Sequence, residues 1–369
     1  MCRPRGRGVT RGRSRRVGNG NDNGNGNRNG LGLGNGNGLG IGNGNGSRGG
    51  PCYTLSAMKV AFFGTPEFAV PTLGRLLASS HELVLVVSRP DKPVGRHQEL
   101  AAPPVVELAL KRGIRCEQPT KLKGEQFART LVETGAEAAV VVAFGRLIPG
   151  PLLGCLRHGF VNLHPSLLPR HRGPSPIQWA LVSGDRSTGV TTIQLDEGMD
   201  TGPILLQERV EIADHENAED LSQRLAVLGA DLVVRTLDGL EVGIVTPHPQ
   251  PADGGNVTPM LRRSFGEVDW KLGARQLVNR LRGFTPWPGL YATFREGRLK
   301  LHGLEEAIPA PPGAEVPGTV LAADSRGIVV RCGHRSAVRI TELQREGRRR
   351  MPADAFQIGE RVTRGERFE

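Results

Sequence analysis

The stretch Asn162-Leu163-His164-Pro165-Ser166-Leu167-Leu168-Pro169-Arg170-His171-Arg172-Gly173 holds the residue types best suited to chemistry. Asn162 and His164 alternate, so at the end of an extended strand both side chains point to one face. One offers an amide donor and the other an imidazole, groups that donate hydrogen bonds and pass protons. Two prolines, Pro165 and Pro169, stiffen the turn after them, and a fixed turn suits a pre-organised site. Asp200 lies 36 residues beyond His164, in the loop Asp196-Glu197-Gly198-Met199-Asp200-Thr201-Gly202-Pro203, which carries three acids among Gly and Pro. Taken singly these residues are bland. A lone His at a strand end is more often packed or surface-exposed than catalytic, and an Asp or Asn in such a loop is usually a turn former.

The elements around them alternate. Residues 60–63 are a short apolar run closed by Gly64-Thr65-Pro66, which reads as a buried strand and its turn. Residues 67–78 read as a helix, 83–87 as a strand, 103–112 as a helix with Pro in its first turn, 126–133 as a helix and 138–143 as a buried strand. This order predicts an α/β domain with a doubly wound, mostly parallel sheet covered by helices. The first strand–helix turn lacks GxGxxG, so a dinucleotide site is not supported. Residues 159–161 read as one more strand. Ligands of open parallel sheets sit beyond the carboxyl ends of the strands, so the residues just after this strand should face that crevice. A helix over 218–237 closes the region.

Pro247, Pro249, Pro251, Gly254, Gly255 and Pro259 then mark an extended linker. Beyond it a helix over 274–282 precedes five short strands, at 291–294, 299–301, 318–321, 327–331 and 338–341. That pattern suggests a small β-barrel, OB-like in kind. The expected organisation is an extension over 1–57, a catalytic domain over 58–245, a linker over 246–265 and a C-terminal barrel over 266–369.

A net charge of +11 over 369 residues hints at an acidic partner such as nucleic acid. Residues 1–57 hold nine Arg and one Asp, a balance of +8 that leaves only +3 for the rest. They also hold 18 of the 51 Gly, mostly in a Gly/Asn alternation. Such a tract cannot bury enough apolar surface to offset its chain entropy and is expected to be disordered. It reads as an organelle transit peptide without the usual apolar face, as a basic arm touching RNA, or as an upstream stretch with the start at Met58. The last is preferred because Met58-Lys59 leads straight into a strand. No run of about 18 apolar residues appears, so no membrane helix is expected. Cys2, Cys52, Cys116, Cys155 and Cys332 are scattered, odd in number and form no CxxC pair. This argues against a disulfide framework or zinc site and fits a reducing cytoplasm.

The combination of motifs resembles the folate-dependent formyltransferase family. Asn162 to Pro169 looks like its signature, and Asp196 to Pro203 like its second motif. The resemblance implies a catalytic trio of Asn162, His164 and Asp200, with folate contacts along Ser166, Leu167, Leu168 and Pro169. The co-substrate it implies is 10-formyltetrahydrofolate, with no metal and no Cys or Ser nucleophile. In that chemistry an amine attacks the formyl carbon. Asn162 and a protonated His164 would donate to the oxyanion, and Asp200 would orient His164 and favour its charged form. A water chain beside Asp200 and His164 would relay the proton.

Several enzymes share that trio, so the acceptor must be read from elsewhere. From Met58 onward the chain resembles the methionyl-tRNA formyltransferase family. Phe63-Gly64-Thr65-Pro66-Glu67-Phe68-Ala69 matches the family's opening, and Arg172-Gly173-Pro174-Ser175-Pro176-Ile177-Gln178-Trp179-Ala180 its post-signature helix. Val268-Asp269-Trp270 and Phe284-Thr285-Pro286-Trp287-Pro288-Gly289 resemble its C-terminal domain, though sugar-nucleotide formyltransferases carry related segments. Pro90 to Arg96 resembles its tRNA-inserting loop, with Arg96 in the key position. The loop then departs from the pattern, with His97-Gln98-Glu99-Leu100 where the family shows more Lys and Arg. Pro165 and His171 replace residues that vary within the family. Arg348, Arg349 and Arg350, with Arg345, are the other RNA candidates. The resemblance implies initiator methionyl-tRNA as partner, and a monomer is expected. The rival readings are a formyltransferase acting on a small amine, such as a sugar nucleotide or glycinamide ribonucleotide, and a non-catalytic RNA-binding protein on the same fold.

Overall fold

Strands whose side chains are apolar on both faces must be covered twice, and this requirement organises the first half of the chain. The structure is a computed structural model that describes residues 57–94, 98–122, 124–308 and 313–369. Its first strands are β1 (Lys59–Gly64), β2 (Glu82–Val87), β3 (Lys92–Val94), β4 (Glu99–Ala101), β5 (Cys116–Glu117), β6 (Ala138–Val142), β7 (Phe160–His164), β8 (Ser187–Gln194) and β9 (Ile204–Glu211). The helices are α1 (Val70–Leu77), α2 (Pro104–Lys111), α3 (Gly124–Glu133), α4 (Gly150–Leu153), α5 (Pro176–Ser183) and α6 (Ala218–Glu241). One sheet runs in the order β5-β2-β1-β6-β7-β8-β9, and β3 pairs with β4 as a separate hairpin. The strands from β5 to β7 are mutually parallel. β8 runs antiparallel to β7, and β9 antiparallel to β8.

The two sheet faces have separate cores. Val60, Phe62, Val140, Val161 and Leu163 pack under α1, α2, α5 and α6. Ala61, Phe63, Leu85, Val141 and Phe160 pack with residues of α3 and α4 on the other face. The helix expected over 67–78 is split into a 3-10 turn, Glu67–Ala69, followed by α1. The strand expected to run to Ala143 stops at Val142, where Ala143 turns to φ +46°. The expected 218–237 helix extends to Glu241 and starts on a capping box. Asn217 Oδ1 accepts from the Glu219 and Asp220 amides at 2.8 and 3.2 Å, and Asp220 accepts from the Asn217 amide at 3.2 Å. The sequence pattern does not announce β8 or β9. β8 reads Ser-Thr-Gly-Val-Thr-Thr-Ile-Gln and is buried along nearly its whole length, so no polar alternation betrays it.

The second half opens with α7 (Ala274–Phe284). It continues with β10 (Leu290–Phe294), β11 (Gly297–Glu306), β12 (Val320–Asp324), β13 (Gly327–Arg331), β14 (Ala337–Arg345), β15 (Arg350–Pro352) and α8 (Ala353–Glu360). The antiparallel order is β10-β11-β14-β13-β12, with β15 added to β14. The chain's last residues bridge the two open edges. Thr293 and Glu369 exchange main-chain hydrogen bonds of 2.8 Å, and the Phe368 amide donates to Gly318 at 2.9 Å. This closes the expected small barrel around Trp270, Phe284, Phe294 and Phe368.

The segment between the halves is tied down. His248 and Ile204 exchange main-chain hydrogen bonds of 2.8 Å. The Arg172 amide donates to Asn256 O at 2.9 Å, and the Thr258 amide to Arg172 O at 2.7 Å. Arg282 on α7 reaches the carbonyls of Ala213 and Glu216 at 2.7 and 2.8 Å. Among the described residues no helix is long and apolar enough to cross a membrane.

Candidate active site

Asn162 and His164 lie within β7, not after it, on either side of Leu163. Leu163 belongs to the core under α6, so its two neighbours point to the opposite face. That face is covered by α3 and α4 farther along the sheet. Beside the end of β7 it is covered by the loops at 143–150 and 196–203, which touch each other where Glu197 approaches Gly150.

The acidic loop sorts its three carboxylates into different tasks. Asp196 braces the turn, accepting from the Gly198 amide at 3.0 Å and from the Thr201 hydroxyl at 2.8 Å. Glu197 is exposed. Asp200 takes a left-handed backbone, φ +55°, and turns inward, placing Oδ2 3.6 Å from His164 Nδ1. The same oxygen accepts the Gly173 amide at 2.8 Å, so the signature loop itself fixes the carboxylate. Gln250 Nε2 donates to the carbonyls of Asp200 and Gly202 at 2.7 and 2.8 Å, and Arg172 holds Gln250 in turn.

His164 is 4 % exposed. Its Nε2 stands 2.9 Å from the main-chain oxygen of His171. Burial pushes the imidazole below its ordinary pKa, while the Asp200 carboxylate and the His171 carbonyl pull the other way. Burial thus favours the neutral ring at rest. Both opposing partners are set to stabilise a charge acquired later. Among the described residues none hydrogen-bonds the half-buried Asn162 carboxamide.

The structure brings Asn162, His164 and Asp200 together, and it divides the other expected residues. Ser166 and Leu168 are buried, and their polar groups serve the turn. Ser166 Oγ donates to Arg170 O at 2.6 Å, the Leu168 amide to Thr191 Oγ1 at 3.3 Å, and Gln207 Nε2 to Leu168 O at 3.1 Å. Leu167 and Pro169 are half-buried. The Leu168-Pro169 peptide is cis. Two further apolar side chains are exposed on this side of the domain. Leu147, 73 % exposed, and Met199, 53 % exposed, stand on the two loops that meet where Glu197 approaches Gly150.

Arg96 lies outside the described residues, between β3 and β4. Arg350 pairs with Glu342 and Arg345 with Glu360, which leaves Arg348 and Arg349 exposed at the β14–β15 turn. A groove of ≈ 460 Å³ opens nearby, lined in part by Arg263, Trp287, Tyr291, Arg298, Lys300 and Arg345. The Arg298 guanidinium lies 3.6 Å from the Tyr291 ring centroid.

Residues 58–237 match the formyl transferase family and residues 260–361 its C-terminal domain. A methionyl-tRNA formyltransferase of Thermodesulfovibrio yellowstonii is 42% identical over 308 residues, 83% of this chain and 97% of the relative. One of Myxococcus xanthus is 43% identical over 311 residues, 84% of this chain and 98% of the relative. The fold also resembles an N-formyltransferase of Helicobacter canadensis in complex with folinic acid and dTDP-3-aminofucose. Its TM-score is 0.59 at 15% identity, over 78% of this chain and 99% of that one. By sequence over nearly the full length of its relatives, and by both domain matches, the chain belongs to the methionyl-tRNA formyltransferase family.

Proposed function

We propose that the protein transfers the formyl group of 10-formyltetrahydrofolate to the amino group of methionyl initiator tRNA, with Asn162, His164 and Asp200 as its catalytic residues. The observation that carries this reading is a free amide donor two residues from a buried imidazole that is itself backed by a carboxylate. Asn162 donates to the formyl oxygen as attack by the amine moves the C=O π pair onto it. His164 Nδ1 takes the proton that the amine loses as the new N–C bond forms. Asp200 and the His171 carbonyl stabilise the resulting imidazolium. The ring then returns the proton to the folate nitrogen as the old C–N bond breaks and the C=O bond reforms. A water between Nδ1 and either nitrogen serves the same route. Leu147 and Met199 would flank the folate ring, with Leu167 and Pro169 at the turn and Ser166 and Leu168 shaping that turn from within.

The acceptor reading draws on the barrel. Arg348 and Arg349 are cations without an ion pair among the described residues, beside a groove with further cations and an exposed Trp287. Such surfaces suit a phosphate backbone and unstacked bases, and Arg96 would add a contact from the β3–β4 hairpin. The deciding assay gives purified protein 10-formyltetrahydrofolate with initiator Met-tRNA, elongator Met-tRNA or free small amines. Formylation of the initiator alone is expected. Formylation of only the small amines would overturn the acceptor. His164→Ala and Asn162→Ala are each expected to lower kcat by about 10²–10³ with KM little changed, and wild-type turnover in either would remove that residue from the chemistry.

A further inference from the structure

A second histidine–carboxylate pair lies behind the first. His171 is 3 % exposed and takes a left-handed backbone, φ +55°, a conformation costly for a residue with a Cβ. Three contacts hold it there. Its Nε2 meets Asp185 Oδ2 at 2.7 Å, and the other oxygen of Asp185 accepts from Arg170 at 2.7 Å. Its amide donates to Asn256 Oδ1 at 2.6 Å, and the Asn256 amide nitrogen lies 3.4 Å from His171 Nδ1. This pattern is that of a ring donating through Nε2 and accepting at Nδ1. What the clamp holds in place is the main-chain oxygen of His171, 2.9 Å from His164 Nε2.

A carbonyl oxygen only accepts. A neutral His164 facing it must carry its proton on Nε2 and present the Nδ1 lone pair toward Asp200. We propose that His171, Asp185 and Asn256 are positioning residues that fix the tautomer of His164, so that its exchangeable proton is gained and lost at Nδ1. Without the clamp the left-handed turn can relax and the carbonyl swing away. The ring would then also populate the Nδ1–H form, whose proton Asp200 would hold. In that form the atom facing the reacting nitrogens is already protonated and cannot accept. The inference rests on the reading of His164 as the proton-transfer group, and it also assigns a task to the segment joining the two halves, because Asn256 belongs to it.

The test is multiple-bond 1H–15N spectroscopy of the full chain with labelled histidine, above the pH at which His164 titrates, alongside steady-state kinetics. The free wild-type protein should show His164 as Nε2–H. An Nδ1–H ring there overturns the proposal without any variant. Asn256→Ala changes an exposed side chain, and His171→Gly keeps the left-handed turn while deleting the ring. Each should give a mixture of tautomers and lower kcat by about 10- to 100-fold, with both KM values within about twofold. Asn256→Asp retains the acceptor for the His171 amide and should recover most of the Nε2–H population. A single Nε2–H tautomer and wild-type kcat in both disruptive variants would refute the clamp. Undiminished turnover in His164→Ala would instead refute the underlying reading and leave the tautomer result standing.

Discussion

Leu163 fills the notch left by Gly229 on α6: a Cβ built at Gly229 would stand 2.5 Å from Leu163 Cδ2 and 3.2 Å from its Cγ. This close seating keeps β7 against the helix and sends Asn162 and His164 to the far face. Gly229→Ala sets two effects against each other. Helix propensity gains about 1 kcal/mol, and overpacking costs about 1–3 kcal/mol. Leu163 is 2 % exposed and has little room to turn aside, so overpacking should win. The expected result is a lower thermal midpoint together with a fall in kcat larger than the change in KM. A more stable variant would show that β7 tolerates the shift.

Thr191 is a fully buried hub beneath the signature turn. Its hydroxyl donates to Ser166 O at 2.6 Å and accepts from Gln207 Nε2 at 2.9 Å. Thr191→Val keeps the shape and strands these partners, at a cost of about 1–3 kcal/mol. The turn should loosen, raising KM for the folate more than KM for tRNA. Denaturant unfolding and the two KM values together decide it, and unchanged folate KM would confine Thr191 to stability.

Unlike Arg350, Arg348 and Arg349 make no ion pair among the described residues. Replacing both with Ala should weaken tRNA binding and flatten its dependence on salt, by about one unit of log–log slope for each phosphate no longer neutralised. Arg350→Ala should do much less, since Glu342 already occupies that guanidinium. Equal salt slopes for the double variant and the wild type would take the β14–β15 turn out of the interface.

Much of this is legible in the chain because it is local. The apolar runs mark the parallel strands, the spacing of Asn162 and His164 puts them on one face, and the Gly-Pro punctuation marks the barrel. The hidden part depends on partners distant in sequence. Nothing near Asn256 announces a bond to His171, 85 positions earlier. Thr191 reads as one more strand residue until Gln207 and Ser166 are seen around it. Charge misleads in a similar way. A run of Arg looks uniform in sequence, whereas Glu342 and Glu360 quench some of it across the barrel. The depth at which His164 is buried, which works against its charge, is likewise invisible in the sequence beside its acidic neighbour.

Burial also predicts how stability changes with acidity. The His81 side chain is 2 % exposed, and burial holds its pKa below the ordinary value despite Asp238 and Glu241 nearby. Between the folded value and the unfolded one near 6.5, the unfolded chain binds the proton and the native one does not. Stability is therefore complete above that range and declines as pH falls through it, by at most about 1.4 kcal/mol per pH unit for one group. Thermal melts from neutral to mildly acid pH should show the decline, with a shallower slope in His81→Gln. Parallel slopes would assign the effect to other groups.

The strap formed by Gln250, Asn256 and Thr258 blurs the border between the two halves. All three proposed catalytic side chains come from the first half, so a fragment ending near residue 245 would look complete on paper. It would lack the two side chains that grip the Asp200 loop and the His171 turn. Such a fragment should fold yet turn over poorly, and supplying the barrel as a separate piece that starts after the strap should not repair it. Grafting a foreign barrel would succeed only if the cut were made beyond Thr258. For anyone exchanging modules in this architecture, the working unit of the transferase ends later than its compact domain does.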